Sequence, residues 1–263
     1  MFRFNGKKLL VSAFAAVAVI IILVGPIKAI KPEGLSDLDP KKILNKVDDL
    51  MRGDSSTGKM EMIVQTAHWK RTLTVQFWSK GKDKSLLRIL SPKKERGMST
   101  LRAGSEIWNY LPKVNRVIRV PSAMMAASWM GSHFTNDDLL KNSRMADDYE
   151  VAVTFRGKRD SLDIIEITCT ARPDVPVVWG KVLVTVTDPD HVPVLIRYYD
   201  EDLKPVRTML FTEVGVLGGR KVPKVIKVIP EYKPDEYTVV RYHEIIFGLP
   251  LEDDFFSIRN LQR

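Results

Sequence analysis

The chain has 263 residues, of which 44% are hydrophobic and 28% are charged, a composition that is typical of a globular protein and excludes a disordered chain. Its formal net charge is +9, but four of the positive charges lie in the first 29 residues, where there is no acid. Basic and acidic residues are interleaved in the rest of the chain, which indicates a mixed solvated surface and argues against nucleic acid as a partner.

The first 29 residues are predicted to be a signal peptide for export. Arg3 and two lysines form a positive region, and residues 9–24 form the apolar run that follows it. Cleavage after Ala29 would leave residues 30–263 as a single exported domain. Ile27 is bulkier than the residue usually found near a cleavage site, so an uncleaved segment that tethers the chain to the inner membrane is the alternative.

A single amphipathic helix is predicted next, at residues 40–52. The segment PKKILNKVDDLMR places its apolar residues at helical spacing. Asp39 is the expected N-cap, and Gly53 is the expected stop.

From Lys59 onward the hydrophobic pattern has a period of two, which predicts strands separated by short turns. Such connections leave no room for crossover helices, so the strands should form an antiparallel meander. An open apolar sheet of this size must curl, close or be covered. Besides the first helix, the helical segments that could cover it are residues 120–141 and 251–256. The predicted strands are residues 59–66, 69–80, 85–90, 98–102, 106–111, 116–120, 149–156, 162–171, 177–187, 192–199, 206–216, 221–229 and 237–247.

One predicted strand carries a charge on its apolar face. In WKRTLTVQFWSK, Arg71 shares a face with Leu73, Val75 and Phe77. If this face lines a cavity, the guanidinium needs a polar partner. The alternative is that Arg71 extends to solvent at the sheet edge.

The segment VPSAMMAASWMGSHFTNDDLLK (residues 120–141) is soft, apolar and nearly uncharged. Its first part, residues 123–130, is compatible with a helix that Gly131 ends. Thr135 and Asp138 fit a capping box before a second short helix. The segment is therefore interpreted as two small helices inserted over the sheet.

Three functions compete for this segment: ordinary core, a catalytic loop, or a movable cover over an apolar site, which we call the lid. The methionines are flexible, and they and a large indole lie beside small residues. This composition suits a segment that must move away from the sheet and pack on it again, which favours the lid. The predicted lid residues are Met124, Met125, Trp129, Met130 and Phe134.

A catalytic or metal site has little support. Ser132 and His133 are neighbours in the chain, and WMGSH lacks the strand–turn–helix context that exposes a nucleophile. The four histidines are scattered without metal-ligand spacing. Cys169 alternates in phase with apolar residues, so a buried inert thiol is expected. We therefore expect neither an enzyme nor a cofactor.

The segment from Ile107 to Leu139 resembles the outer-membrane lipoprotein-sorting family, the LolA-like periplasmic proteins. The resemblance is carried by W-x-Y-x-P, then an arginine-rich strand, then S-W-M-G-S-x-F-x-x-x-D-L. It extends across the mature chain in the order of its elements. His133 departs from the family pattern, in which Asp is common at that position, so a role for an acid there does not carry over.

The resemblance implies a mainly β protein, an incomplete antiparallel barrel whose concave apolar face is closed by short helices. It implies a periplasmic carrier that binds acyl chains of a lipid or lipoprotein, receives them from an inner-membrane lipid exporter and delivers them to an outer-membrane acceptor. A periplasmic lipid sensor that regulates a membrane partner is the alternative. A lipid hydrolase is a third. The candidate cavity-wall residues are Arg71, Leu73, Val75, Phe77, Trp108 and Tyr110.

Overall fold

The fold is dominated by one antiparallel sheet of 13 strands. The computed structural model describes residue 35 and residues 37–141, 145–175 and 177–263, so the predicted signal peptide lies outside the described residues. No helix within these ranges is long and apolar enough to cross a membrane. The strands are β1 (Ser55–Gln65), β2 (Lys70–Lys80), β3 (Lys84–Ser91), β4 (Ser99–Ala103), β5 (Glu106–Leu111), β6 (Arg116–Arg119), β7 (Tyr149–Arg159), β8 (Leu162–Ala171), β9 (Lys181–Thr187), β10 (Pro193–Tyr199), β11 (Pro205–Leu217), β12 (Arg220–Pro230) and β13 (Tyr237–Phe247).

The sheet consists of two meanders joined at their centre. Its order is β6-β5-β4-β3-β2-β1-β13-β12-β11-β10-β9-β8-β7. The β1–β13 pair forms the seam, with Ser56 opposite Phe247. The sheet has β6 and β7 as its edges and does not close, which confirms the predicted antiparallel half-barrel.

The segment that joins the two edge strands connects opposite sides of the sheet. Residues 120–148, which we call the crossover, link β6 at one edge to β7 at the other. The interpretation of this segment as an insertion into a continuous meander is therefore wrong. The crossover must span the width of the sheet, because the two strands that it connects, β6 and β7, form opposite edges.

The first helix, α1 (Pro40–Arg52), has the predicted bounds. The Asp39 carboxylate accepts hydrogen bonds from the backbone N–H groups of Lys41 at 3.0 Å and Lys42 at 3.3 Å. Gly53 ends the helix in the left-handed region, at φ 60°, where glycine has no steric penalty. Ile43 and Leu44 pack α1 onto the inner face of the sheet.

The helix predicted at residues 123–130 is wrong. The structure has separate 3₁₀ turns at Ser122–Met124 and Trp129–Gly131. The Trp129 N–H donates across the loop to the Phe134 carbonyl at 2.8 Å, so it is not available to a helix. Met130 has φ 53°, a left-handed conformation that interrupts a right-handed helix.

The second short helix is confirmed as α2 (Asn136–Lys141). Its capping box forms as predicted: the Thr135 N–H donates to Asp138 Oδ2 at 2.7 Å, and the Asp138 N–H donates to Thr135 Oγ1 at 3.2 Å. A further short helix, α3 (Met145–Asp148), precedes β7.

The C-terminal segment covers the outer face of the sheet. A 3₁₀ turn at Asp253–Phe255 lies within the predicted segment, and α4 (Ile258–Leu261) follows it. Phe256 and Leu261 pack with Leu86 and Leu101 of β3 and β4. The other two apolar clusters lie on the inner face, beneath α1 and the crossover.

Candidate functional site

A cavity of about 290 Å³ lies between the inner face of the sheet and the elements that cover it. Its lining comes from both meanders, so the seam runs through its floor. The sheet contributes Met60, Phe77, Leu87, Val184, Ile196, Tyr198, Met209, Phe211, Ile226, Val240 and Tyr242. The covering elements contribute Leu44, Val47, Met51, Trp129, Phe134, Leu139, Met145 and Ala146.

Two aromatic residues of the crossover close the cavity from above. Trp129 is 4% exposed, and its indole Nε1–H donates to Thr100 Oγ1 of β4 at 3.1 Å. Phe134 packs against both inner clusters. A buried indole with a satisfied N–H has a defined orientation, so Trp129 is a fixed part of this closed state.

The structure separates the predicted lid residues. Trp129 and Phe134 line the cavity. Met130 packs against the inner cluster of β1 and β2 without lining the cavity, and Met125 is half-buried. Met124 is 51% exposed, on the solvent side of the crossover.

The predicted wall residues also fall into different places. Phe77 lines the cavity, and its ring meets Tyr242 edge-on at a centroid distance of 5.9 Å. Leu73 and Val75 are fully buried on the same inner face, in the cluster that contains Trp129.

Trp108 and Tyr110 lie on the outer face instead. They pack in the cluster formed with the C-terminal segment. Between them in the strand, Asn109 faces inward and accepts a hydrogen bond from Thr100 Oγ1 at 2.7 Å. Alternation shows which residues share a face, but the contacts of Thr100 with the crossover are needed to show which face is inner.

Arg71 is held by the crossover. Its Nη2 donates to the Met130 carbonyl, and its guanidinium lies 5.3 Å from the centroid of the Trp69 ring. The polar partner expected for this charge is therefore a backbone carbonyl of the lid.

A buried ion pair fixes the other end of the crossover. Arg207 of β11 donates to Asp138 Oδ2 at 2.7 Å, and the two side chains are 4% and 2% exposed. Arg207 also donates to the His133 carbonyl at 2.9 Å, and its guanidinium lies 4.3 Å from the centroid of the Tyr198 ring. No local sequence pattern indicates this pair, because its members are 69 positions apart.

The serine and histidine considered for catalysis make structural contacts. The Ser132 hydroxyl is buried and donates to the Trp129 carbonyl at 2.7 Å. His133 Nδ1 is 2.9 Å from Thr238 Oγ1, and its Nε2 is 3.4 Å from Glu236 Oε2. Thr238 has no solvent exposure, so its hydroxyl cannot meet a substrate in this state. The described residues include no group of three potential metal ligands.

One end of the cavity is polar. Asn45, Asp48 and Arg52 of α1 line it beside Ser56 and Ser79, whose hydroxyl oxygens are 2.8 Å apart. Burial raises the pKa of Asp48 to about 7, although the nearby charges of Arg52, Lys82 and Arg102 act to lower it. The spacing of apolar residues at 40–52 predicted the helix, but it gave no indication that a carboxyl group of this helix would line a cavity.

Comparisons with known proteins agree with this architecture. A family model described as "-like: Uncharacterized protein" matches residues 81–263. No curated protein matches the sequence.

Solved structures show the same fold. A domain from Vibrio parahaemolyticus described as an outer membrane lipoprotein-sorting protein is 20% identical, with TM-score 0.75, and the match covers 85% of this chain and 98% of that one. A DUF1329 family protein from Desulfovibrio piger is 20% identical, with TM-score 0.77 and coverage of 86% and 100%. A LolA superfamily protein from Nitrosomonas europaea is 22% identical, with TM-score 0.72 and coverage of 85% and 99%. The chain therefore belongs to the family of that "Uncharacterized protein" model and has the LolA-like fold.

Proposed function

We propose that this protein is a periplasmic carrier that holds an acyl chain of a lipid or lipoprotein in the cavity beneath the crossover. The observation that carries the proposal is an apolar cavity of about 290 Å³ closed by Trp129 and Phe134. The similarity in fold to a protein described as an outer membrane lipoprotein-sorting domain supports the choice of cargo.

The size of the cavity suits one chain. A methylene group fills about the space of a water molecule, whose share of liquid volume is ~30 Å³. The cavity therefore has room for about ten methylene groups. At ~0.8 kcal/mol per buried methylene, they contribute about 8 kcal/mol before the costs of ordering the ligand.

The closed crossover suggests how loading and release are controlled. Trp129 and Phe134 pack into the space above the inner face. A chain that enters must displace them, and it can do so while the sheet stays in place, because both ends of the crossover are attached to opposite edges. Arg71, Arg102 and Arg207 all donate to backbone carbonyls of the crossover and oppose this opening.

This function assigns the protein to the space between the two membranes. We propose that it takes cargo from an inner-membrane lipid exporter and passes it to an outer-membrane acceptor. Binding and transfer need no catalytic group. Native mass spectrometry of protein from a periplasmic fraction should show a chain cleaved near Ala29 with a lipid attached. A full-length chain found only in the inner-membrane fraction would replace the soluble carrier by a tethered one.

A single tryptophan reports on the cavity. With Trp69, Trp78, Trp108 and Trp179 replaced by Phe, the emission of Trp129 should shift during titration with a lipid and then saturate. The matched control keeps only Trp108, which packs in the outer-face cluster and does not line the cavity, and its emission should not change. A Trp129 emission that ignores every lipid offered would contradict the proposed function.

A further inference from the structure

Asp48 and Arg52 form an unmatched pair of charges at the polar end of the cavity. They lie one helical turn apart on α1, both are half-buried, and both line the cavity. Side chains at this spacing are neighbours and commonly form an ion pair. In the part of the chain that the structure describes, however, neither group has an ion-pair partner within 4.0 Å.

The surroundings of Asp48 disfavour its charge. Burial raises the pKa of this carboxyl to about 7, the like charge of Asp49 adds to that effect, and the attraction of Arg52, Lys82 and Arg102 does not offset it. The Lys82 ammonium donates a hydrogen bond to Asn45 Oδ1 at 3.0 Å, so Lys82 is held by Asn45, which lines the cavity beside Asp48. A cation brought to the carboxylate by a ligand would stabilise the charged form.

A ligand that pairs with both side chains must carry a positive group for Asp48 and a negative group for Arg52. A purely anionic head could pair with Arg52 but would bring a like charge to Asp48. A purely cationic head could pair with Asp48 but would bring a like charge to Arg52. A zwitterionic head matches both groups at once, and charge-assisted hydrogen bonds are the strong ones in a partly buried site.

We propose that the polar end of the cavity binds the head of a single-chain phosphoethanolamine lipid, with the ammonium at Asp48 and the phosphate at Arg52. This proposal rests on the proposed function, because the acyl chain of the same ligand fills the apolar part of the cavity. The volume of about 290 Å³ admits one chain of about ten carbons, which favours a lysolipid over a lipid with two or three chains.

The experiment compares two lysolipids that share a ten-carbon chain and differ in the head. Lysophosphatidylethanolamine and lysophosphatidylglycerol are titrated below their micelle concentrations into the delipidated protein that has Trp129 as its only tryptophan. The ethanolamine lipid should bind about tenfold more tightly, the effect of one charge-assisted hydrogen bond. Asp48→Asn should remove this preference, and Arg52→Gln should weaken both lipids.

Asp49→Asn is the matched control. Asp49 is the next residue of the same helix, but its side chain is exposed and does not line the cavity. Removing the Asp49 charge should lower the pKa of Asp48 slightly and so favour its charged form, and the preference for the ethanolamine lipid should therefore persist in this variant. The preference should also grow between pH 6 and pH 8, because Asp48 loses its proton in that interval while Arg52, Lys82 and Arg102 keep their charges.

The outcomes are distinct. Equal affinity for the two lipids, a preference for the glycerol lipid, or a preference that survives Asp48→Asn would each overturn the headgroup proposal and leave the carrier intact. Failure of both lipids and of longer acyl chains to change Trp129 would overturn the carrier itself.

Discussion

The side chain of Arg207 illustrates how much a single buried contact can carry. Its side chain is only 4% exposed, and replacing Asp138 by Asn would leave the buried guanidinium without a counter-charge. We expect this change to lower the free energy of unfolding by about 3–5 kcal/mol, the usual cost of breaking a buried pair from one side. Urea denaturation followed by circular dichroism measures it.

The control for this prediction is an exposed pair. Asp190 is 2.7 Å from Lys221 Nζ, and both side chains are more than half exposed. Asp190→Asn should leave the free energy of unfolding nearly unchanged, because water and salt screen an exposed pair. Equal effects of the two substitutions would show that the Arg207 pair does not anchor the crossover.

Cys169 gives a prediction about reactivity. Burial raises the pKa of its thiol to about 12, so the thiol is neutral at pH 7 and its reactive thiolate is scarce. We expect no reaction with a thiol reagent in the folded protein between pH 7 and pH 9, and one equivalent after unfolding. Fast labelling of the native protein would contradict the inert role expected for this residue.

The capping box shows what could be foreseen at the scale of residues. The side chains of Thr135 and Asp138 are three positions apart, and their pairing follows from local chemistry alone. The same Asp138 carboxylate also receives Arg207, which the sequence could not indicate because that contact depends on the arrangement of the whole sheet.

The crossover is the element on which the function depends. Arg71→Leu removes the donor to the Met130 carbonyl and should favour opening of the crossover. We expect faster amide exchange in residues 128–135, with exchange in the central strands unchanged, because local opening exposes only that element. Lipid release should become faster as well.

Lys70→Leu is the control for Arg71→Leu. Lys70 precedes Arg71 in β2 but has its side chain exposed. This variant should leave exchange in the crossover as it is in the wild type. A crossover that exchanges at the same rate in both variants would favour the alternative that the charge of Arg71 is satisfied by solvent at the sheet edge.

Sequence patterns worked best for regular elements. The bounds of α1 and the positions of all the strands follow from periodicity, caps and turns. The helix at 123–130 failed because its residues are compatible with a helix, whereas contacts with Phe134 and the left-handed Met130 decide the backbone. Such contacts come from packing over the sheet, so no local pattern contains them.

For the whole molecule, the seam between β1 and β13 is the critical junction. At Gly58 of β1, an added Cβ would lie 2.1 Å from the Glu244 carbonyl and 2.8 Å from the Phe77 ring. Gly58→Ala should therefore separate the two meanders locally and lower the free energy of unfolding by about 3 kcal/mol. Thermal unfolding measures this effect.

Gly104→Asn serves as the comparison. Gly104 lies in a turn at φ 64° with no atom within 4 Å of an added Cβ, and Asn tolerates that conformation. We expect a change of less than about 1 kcal/mol. If Gly58→Ala were equally mild, the seam would have to adjust more freely than its contacts suggest.

The seam also sets the order in which the molecule can be assembled during synthesis. The pairs within each meander join neighbouring strands, but the bond from Ser55 Oγ to the Leu249 carbonyl at the seam joins residues 194 positions apart. Each meander can therefore form early, whereas the floor of the cavity waits for the last strand. A nascent chain exposes two apolar half-sheets before it has a place for any ligand, so it needs protection from aggregation until β13 arrives.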